Sequence, residues 1–408
     1  MLDLNESLRA MITAAYANAP AVTRRFDEAG VNAADIQNVA DLSQIPVLAK
    51  DAIIALQQAD PPFGGLLGVP FSEIRHIYLS PGPIYEPDAG DDSTALEMCM
   101  LCLEKSGFTA DDIVLNTLSY HLVPAGELLD SALVALGATV VPGGVGNSSL
   151  QIKLLKDLGI TGYVGTPSFL IQLIDKAEEM GLDFKRDLKL KKAMVSTEPL
   201  FPAVRQRLTA DYGLSLGNGY ATADVGFMAV NLDGSLPMQL LPRPIIQVVD
   251  PDTGQDVGPG EVGEVVVTNL NAAYPVIRLG TGDMAVNVDP NPGRSRQEER
   301  AIILVGRRGE AVKVRGMFVH PNQVRFALSQ TVAFNGFQGI ITQPETRDYF
   351  KLQVALAPGQ EGDRAELAEK IKAQVRGVCR VKVDEVAFVE PDAIAADAPG
   401  MVDRREWH

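Results

Sequence analysis

Residues 139–166, TVVPGGVGNSSLQIKLLKDLGITGYVGT, hold an apolar run at Thr139–Val141, a helical stretch and a second apolar run at Gly162–Val164. Short runs of the same kind stand at Ile74–Leu79, Ile113–Leu118 and Lys192–Val195, again with helical stretches between them. Strand-length apolar runs alternating with helices are the pattern of βα units, which favours a mainly parallel sheet covered by helices.

Outward from this block the rhythm changes. Towards the N-terminus, Leu8, Met11, Ile12 and Ala15 recur at helical spacing until Asn18-Ala19-Pro20 interrupts them, and a second short helix from Val22 is predicted to stop at Gly30. Pro46 and Asp60-Pro61-Pro62-Phe63-Gly64-Gly65 mark loops. Beyond residue 240, Ile245–Val249, the turn Asp250-Pro251-Asp252-Thr253-Gly254 and Gly263–Leu270 read as antiparallel strands with tight turns. The tail carries strand patterns near 337–342, 350–357 and 384–389 and a helix near 364–376, a compact α+β module. The expected fold is α/β: a large N-terminal domain over residues 1–309, of mainly parallel sheet with helices plus antiparallel strands, and a small α+β C-terminal domain over 310–408.

The 408 residues are 46% apolar and 22% charged, the composition of a globular chain with a large core. A formal net charge of −16 argues against general nucleic-acid or anionic-membrane binding, which require local positive charge. No basic N-terminal region precedes an apolar stretch and no apolar run has bilayer length, so a soluble, cytoplasmic protein is expected. Three cysteines make no disulfide framework. Cys99 and Cys102 form a CxxC, but inside the helical-looking run Ala95–Lys105, where two buried thiols are expected. A metal site there would need two more ligands, from Cys379, the four histidines or carboxylates.

Several stretches together resemble the phenylacetate-CoA ligase branch of the adenylate-forming enzymes. Tyr16-Ala17-Asn18-Ala19-Pro20 followed by Arg25-Phe26-Asp27-Glu28-Ala29-Gly30 is similar to that branch's opening, as are Asp60-Pro61-Pro62-Phe63-Gly64 and Gly68-Val69-Pro70. Gly165-Thr166-Pro167-Ser168 and Ser196-Thr197-Glu198-Pro199 look like the segments lining the adenine and acyl sites. Tyr220-Ala221-Thr222-Ala223-Asp224 stands where the family carries Tyr-Gly-x-Ser/Thr-Glu. Pro275-Val276-Ile277-Arg278 leads into Thr281-Gly282-Asp283, and Gly306-Arg307 into Lys313-Val314-Arg315-Gly316. Each motif alone is weak, but the set runs in the expected order from near residue 4 to near 405.

The resemblance implies a carboxylic acid activated by ATP as an acyl-adenylate, followed by rotation of a mobile small domain and transfer of the acyl group to coenzyme A. It implies a ribose contact at Asp283, with Arg307 reaching the same ribose, a stacking role near adenine for Tyr220, and further nucleotide contacts at Ser80, Gly82, Glu198 and Thr222. Asp224 falls at the Mg²⁺-binding acidic position, one methylene shorter than the usual Glu, and Glu310 at the hinge. The acyl pocket would be formed around Tyr120, His121, Val164, Gly165, Ser196 and Gly219, with His121 standing where glycine is expected. A homodimer is common in this branch.

Two departures fall on the adenylation half-reaction. The family's phosphate loop is rich in Ser, Thr and Gly and carries a lysine before a proline, whereas this chain reads Ser80-Pro81-Gly82-Pro83-Ile84-Tyr85-Glu86-Pro87. Two prolines remove N–H donors, two hydroxyls are gone, and an anion replaces a cation. At about 5 Å and an effective dielectric of about 20, that added charge would repel a phosphate charge by about 3 kcal/mol. The family's adenylation lysine near the C-terminus is also missing: Met401 follows Gly400, no lysine follows Lys382, and Arg404 and Arg405 are the candidate substitutes. The leading expectation is a phenylacetate-CoA-ligase-like, AMP-forming acid–thiol ligase acting on an aryl or similar carboxylic acid with ATP, Mg²⁺ and CoA. The alternatives are a non-catalytic homologue binding a nucleotide, acyl-CoA or a protein partner, and an enzyme that starts from a preformed acyl-adenylate.

Overall fold

Leu8, Met11, Ile12 and Ala15 fall on one face of the first helix, Leu4–Asn18, and all are buried. Ala19 breaks the helix, and Pro20, with a fixed φ and no N–H, begins the next. That helix, Pro20–Ala29, closes on Gly30 in the left-handed conformation at φ 68°. The computed structural model describes residues 3–80, 82–90, 93–308, 312–315, 317–319, 321–344, 347–359, 363–379, 381–390, 393–395 and 398–405. The chain divides into two units, Met1–Arg308 and Gly309–His408.

In the larger unit the strands are β1 (Leu48–Ala49), β2 (His76–Ser80), β3 (Ile84–Asp88), β4 (Ile113–Asn116), β5 (Thr139–Pro142), β6 (Gly162–Gly165), β7 (Lys192–Val195), β8 (Ser215–Thr222), β9 (Gly226–Asn231), β10 (Met238–Leu240), β11 (Ile245–Val249), β12 (Val262–Thr268), β13 (Leu279–Val288) and β14 (Ala301–Arg307). Among the described residues twelve of these form one sheet, in the order β11-β12-β13-β14-β10-β9-β8-β7-β6-β4-β5, with β1 added beside β13. β5, β4, β6, β7 and β8 are parallel to their neighbours, and helices such as Ala125–Ala135, Ser148–Asp157 and Pro167–Glu179 make the crossovers that parallel pairing requires. From β8 through β14 the pairing is antiparallel. Cys99 and Cys102 are fully buried in the core between the helix Ser93–Lys105 and the parallel strands.

One sequence expectation changes. The run at Ile74–Leu79 is not a strand of the parallel sheet: β2 and β3 pair with each other as an antiparallel ribbon outside it. Residues 81–83 are all that separate the two strands, enough for a hairpin turn and far short of a crossover helix.

The N-terminal helical segment is tied to the sheet by a buried arginine. Arg278, just ahead of β13, is 1% exposed and donates from its guanidinium to the carbonyls of Leu42 (3.1 Å), Ile45 (2.6 Å) and Gly254. It carries its charge into the interior because three carbonyls accept from it, of which only that of Leu42 also has a backbone donor, Ile45 N. Beside it, Arg25 donates to the carbonyls of Ile277 and Pro46.

The smaller unit holds β15 (Val312–Val314), β16 (Met317–Val319), β17 (Phe334–Thr342), β18 (Tyr349–Leu356), β19 (Glu385–Val389) and β20 (Met401–Asp403). Four of them form a sheet in the order β19-β18-β17-β20, with the helices Pro321–Ser329 and Arg364–Cys379 packed in the same core. Among the described residues no helix is long and apolar enough to cross a membrane.

Replacing Arg278 with methionine keeps much of the side-chain volume and leaves the carbonyls of Ile45 and Gly254 without their donor, while Leu42 O keeps Ile45 N. It is expected to lower the unfolding free energy of the larger unit by about 3 kcal/mol, read as an earlier first transition in urea.

Candidate active site

Open α/β sheets place ligands at the carboxyl ends of parallel strands, where the segments leaving adjacent strands diverge. β6 ends at Gly165, and Thr166 then caps the following helix, its Oγ1 accepting from Phe169 N at 3.2 Å. β7 ends at Val195, and Glu198 just beyond it accepts from Ser168 Oγ at 2.7 Å and Ser168 N at 3.3 Å. One carboxylate thus fixes the two segments to each other. Thr197 between them has φ 72°, a left-handed backbone that costs a β-branched residue on the order of 1–3 kcal/mol. Its hydroxyl is buried without a hydrogen-bond partner, as is that of Thr222 at the end of β8. Strain and unsatisfied hydroxyls at strand ends mark a place shaped for something other than its own stability.

The second part of the site comes from the antiparallel half. Tyr220 on β8 and Asp283 on β13 stand four places apart in the sheet order. In a flat sheet with strands about 4.8 Å apart they would be separated by roughly 19 Å. Yet Tyr220 Oη donates to Asp283 Oδ2 at 2.7 Å. The sheet is therefore curled between β8 and β13, and the curl brings the two residues together. Arg307 faces Asp283 across the β13–β14 ladder and reaches Oδ1 with Nε at 2.8 Å. Burial first, and the Asp283 charge second, hold the Tyr220 phenol well above its ordinary pKa, so it stays a donor. Each carboxylate oxygen has two lone pairs, so Asp283 keeps acceptor capacity beyond these contacts.

The phosphate-loop segment forms the third part. Leu79 N donates out of the ribbon to Leu122 O at 2.6 Å, and Tyr85 N to Gln57 Oε1 at 2.9 Å. That pair is therefore the non-hydrogen-bonded one, and its neighbours Ser80–Ile84 and Tyr78–Glu86 use their N–H groups in the ladder. Pro83 has no N–H to give. The loop thus has few backbone donors left for a phosphate. Gln57 also donates to Tyr85 O at 2.8 Å, clamping the strand from both sides. Glu86 is 7% exposed and lies against Asp224, whose Oδ2 is 2.7 Å from Lys50 Nζ. Burial, then the Asp224 charge, push the Glu86 carboxyl up to about 8, while Ser80 and Lys50 act the other way. The Ser80 hydroxyl lies against the Glu86 carboxyl and favours its ionised form, and the contact with Asp224 favours the protonated one. Hard oxygen donors of this kind fit Mg²⁺, which takes one or two carboxylates together with phosphates and water.

The sequence reading put Asp283 and Arg307 at one ribose and Tyr220 near adenine; in the structure Tyr220 and Arg307 each bond Asp283. It did not single out Lys50, Gln57 or Ser168 for a role. Lys50 opens the helix Lys50–Ala59 directly after β1, and the pairing of β1 with β13 sets it down near the Thr281–Asp283 segment. No spacing in the sequence relates Lys50 to Asp224, 174 residues away.

The other candidate residues have the following surroundings. Gly165 and Gly219 leave no room for an acyl group on their own account. A Cβ on Gly165 would meet Thr117 Oγ1 at 2.0 Å and one on Gly219 Phe227 Cε1 at 2.6 Å, so internal packing explains both. Val164 is fully buried, and Ser196 Oγ is committed to Gly219 O at 2.8 Å. Tyr120 and His121 retain surface; Tyr120 Oη donates to Asp130 at 2.7 Å and accepts from Asn116, and His121 is exposed. Arg405 is no free cation: it is 7% exposed and bonded to Asp348 and Asp403. Met401 sits in the core of the smaller unit with β20 paired to β17, and Arg404 is exposed. Gly82 stands in the β2–β3 turn, and Glu310 and Gly316 lie outside the described residues.

Comparison with known proteins finds relatives along most of the chain. The family described as AMP-binding enzyme matches residues 93–273. A phenylacetate-coenzyme A ligase of Aromatoleum evansii is 28% identical over 332 residues, covering 78% of this chain and 73% of the relative. One of Thermus thermophilus is 27% identical over 369 residues, covering 86% and 80%. Among solved structures, a 2-hydroxyisobutyryl-CoA ligase in complex with 2-HIB-AMP and CoA matches with a TM-score of 0.85 at 24% identity, over 99% of this chain and 89% of that one.

Removing the Arg405 side chain leaves the buried Asp348 carboxylate without its ion-pair partner, held only by Arg315 N. Arg405→Ala is expected to destabilise the smaller unit by about 3–5 kcal/mol, seen as a lower-melting transition in calorimetry. An unchanged melting profile with lost activity would instead return Arg405 to a catalytic role.

Proposed function

The chain is a divergent member of the adenylate-forming superfamily, and on that ground we propose that it is an AMP-forming acid–CoA ligase for an aryl or similar carboxylic acid. A carboxylate oxygen of the substrate attacks the α-phosphorus of ATP, the bond to the β-phosphate oxygen breaks and pyrophosphate leaves. The thiolate of coenzyme A, its proton given to solvent, then attacks the acyl carbon, and AMP leaves with the electron pair of the acyl C–O bond.

The observation that carries the reading is the Asp283 carboxylate, fixed between Tyr220 and Arg307. A carboxylate with spare lone pairs held in one orientation suits a cis-diol, which presents two hydroxyl donors side by side. The orphaned hydroxyls of Thr197 and Thr222 are placed for further contacts to a bound adenylate. Asp224 would hold Mg²⁺, whose chemistry when bound is to neutralise charge on the phosphate oxygens. Tyr120 and His121 would border the acyl group. Action in the cytoplasm and assembly as a homodimer belong to the same reading. A non-catalytic homologue is not favoured, because the ammonium of Lys50 stands beside the glutamate that replaced the loop lysine.

The test is release of AMP and pyrophosphate on mixing the protein with ATP, Mg²⁺, CoA and a panel of arylacetic, benzoic and short branched hydroxy acids. At least one acid is expected to give thioester and AMP in equal amounts; a panel with no acid-dependent AMP overturns the reading. Asp283→Asn is expected to weaken AMP binding in calorimetry roughly tenfold or more, the worth of a charge-assisted hydrogen bond. Unaltered AMP affinity would remove the ribose role from Asp283.

A further inference from the structure

The β2–β3 ribbon stands outside the main sheet, so its fastenings decide how the phosphate segment is held. Along β3 it is fastened to the nucleotide side: Gln57 bonds both backbone groups of Tyr85, and Glu86 lies against Asp224. Along β2 it is fastened to the parallel half. Leu79 N donates to Leu122 O at 2.6 Å, among the described residues the one backbone hydrogen bond between the ribbon and the parallel half. Tyr78 Oη donates to Glu127 Oε2 on the helix Ala125–Ala135. Tyr78 and Glu86 are directly opposed in the ladder, so both side chains leave one face of the ribbon. A single two-stranded element thus carries one side chain to Glu127 and the other to Asp224.

The loop that receives these bonds, residues 117–124, is held in a shape that costs it something. Its first part is fixed from below: Asn116, fully buried, accepts from Leu118 N at 3.1 Å and donates to Tyr120 Oη at 2.8 Å and Gly126 O at 2.9 Å. Leu122 is different. It has φ 64° and is 48% exposed, so burial does not offset a left-handed backbone that leucine disfavours. Its carbonyl is held from the ribbon. Burial, and then the bond to Glu127, keep the Tyr78 phenol well above its ordinary pKa, so it donates across the neutral range.

We propose that Tyr78 is a positioning residue: through Glu127 it locks the ribbon to the 117–124 loop, so that the phosphate segment and the acyl border at Tyr120 and His121 order together and nucleotide and acid each strengthen the other's binding. Whichever ligand binds first sets ribbon and loop in place, and the second meets a site already ordered. The mutual effect of the two ligands rests on the ligase reading; the lock itself does not.

The experiment is amide hydrogen exchange of residues 117–126 in the full-length chain, read by mass spectrometry. Without ligand, Tyr78→Phe is expected to speed exchange there roughly tenfold, the worth of a hydrogen bond to a charged group. Glu127→Gln, which keeps an acceptor for the phenol, is expected to speed it less. Gln57→Met frees the ribbon at its other strand. It is expected to speed exchange of 117–126 in the unaltered chain and to add nothing in Tyr78→Phe, a non-additivity that a purely local role of Tyr78 does not produce. With the α,β-methylene analogue of ATP and Mg²⁺, the unaltered chain is expected to protect 117–126 and to bind its acid about fivefold more tightly. Both gains are expected to be lost in Tyr78→Phe. Exchange unchanged by Tyr78→Phe, additive effects of Gln57→Met and Tyr78→Phe, or a bound analogue that leaves 117–126 unprotected overturns the proposal. Acid-dependent AMP formation together with any of these would leave the ligase reading standing. Non-additive exchange without any AMP formation would leave the lock and remove the ligase.

Discussion

The contact between Tyr220 Oη and Asp283, backed by Arg307, is the constraint from which the site follows. It joins the last parallel strand to a strand four places away across the antiparallel half. Such a contact exists only if the sheet curls, and the curl carries β14 and the segment before β13 towards the parallel ends. Arg278 works on the other side of that bend. By holding the carbonyls of Leu42, Ile45 and Gly254 it fixes the N-terminal helical segment and the β11–β12 turn to the start of β13. β1 is thereby laid beside β13, and Lys50 follows directly from it.

The charges around the phosphate segment are redistributed rather than removed. Read along the chain, Glu86 replaces a cation with an anion. In space, the Glu86 carboxyl is buried against Asp224 with the Lys50 ammonium alongside, and burial and the Asp224 charge favour its protonated form, so its neighbours and not its formal charge decide its effect. The ribbon is firm: its ladder and the two-way clamp by Gln57 take up the backbone donors of β3. A loop with few free N–H groups cannot cradle phosphates by backbone alone, so side chains or a bound ion have to carry that part.

The smaller unit shows how a likeness in one-dimensional order misleads about availability. Arg405 looks like a mobile cation near the chain end, yet β20 pairs with β17 and delivers Arg405 to Asp348 and Asp403. Its charge serves cohesion. Met401, at the place of the missing lysine, fills space against Gly339, where any Cβ would meet its sulfur at 2.4 Å.

The sequence by itself determined the element types, the division into a parallel α/β half, an antiparallel half and a small α+β module, and the identity of Tyr220, Asp283 and Arg307 as functional candidates. Those readings rest on local quantities: hydrophobic period, turn residues and motif order. The tertiary structure alone decided that β2 and β3 are a ribbon, that Gly165 and Gly219 serve packing, and that Lys50 and Glu86 meet Asp224. Burial and ion pairing depend on which distant segments a curled sheet brings within a few ångströms, and no periodicity along the chain encodes that distance.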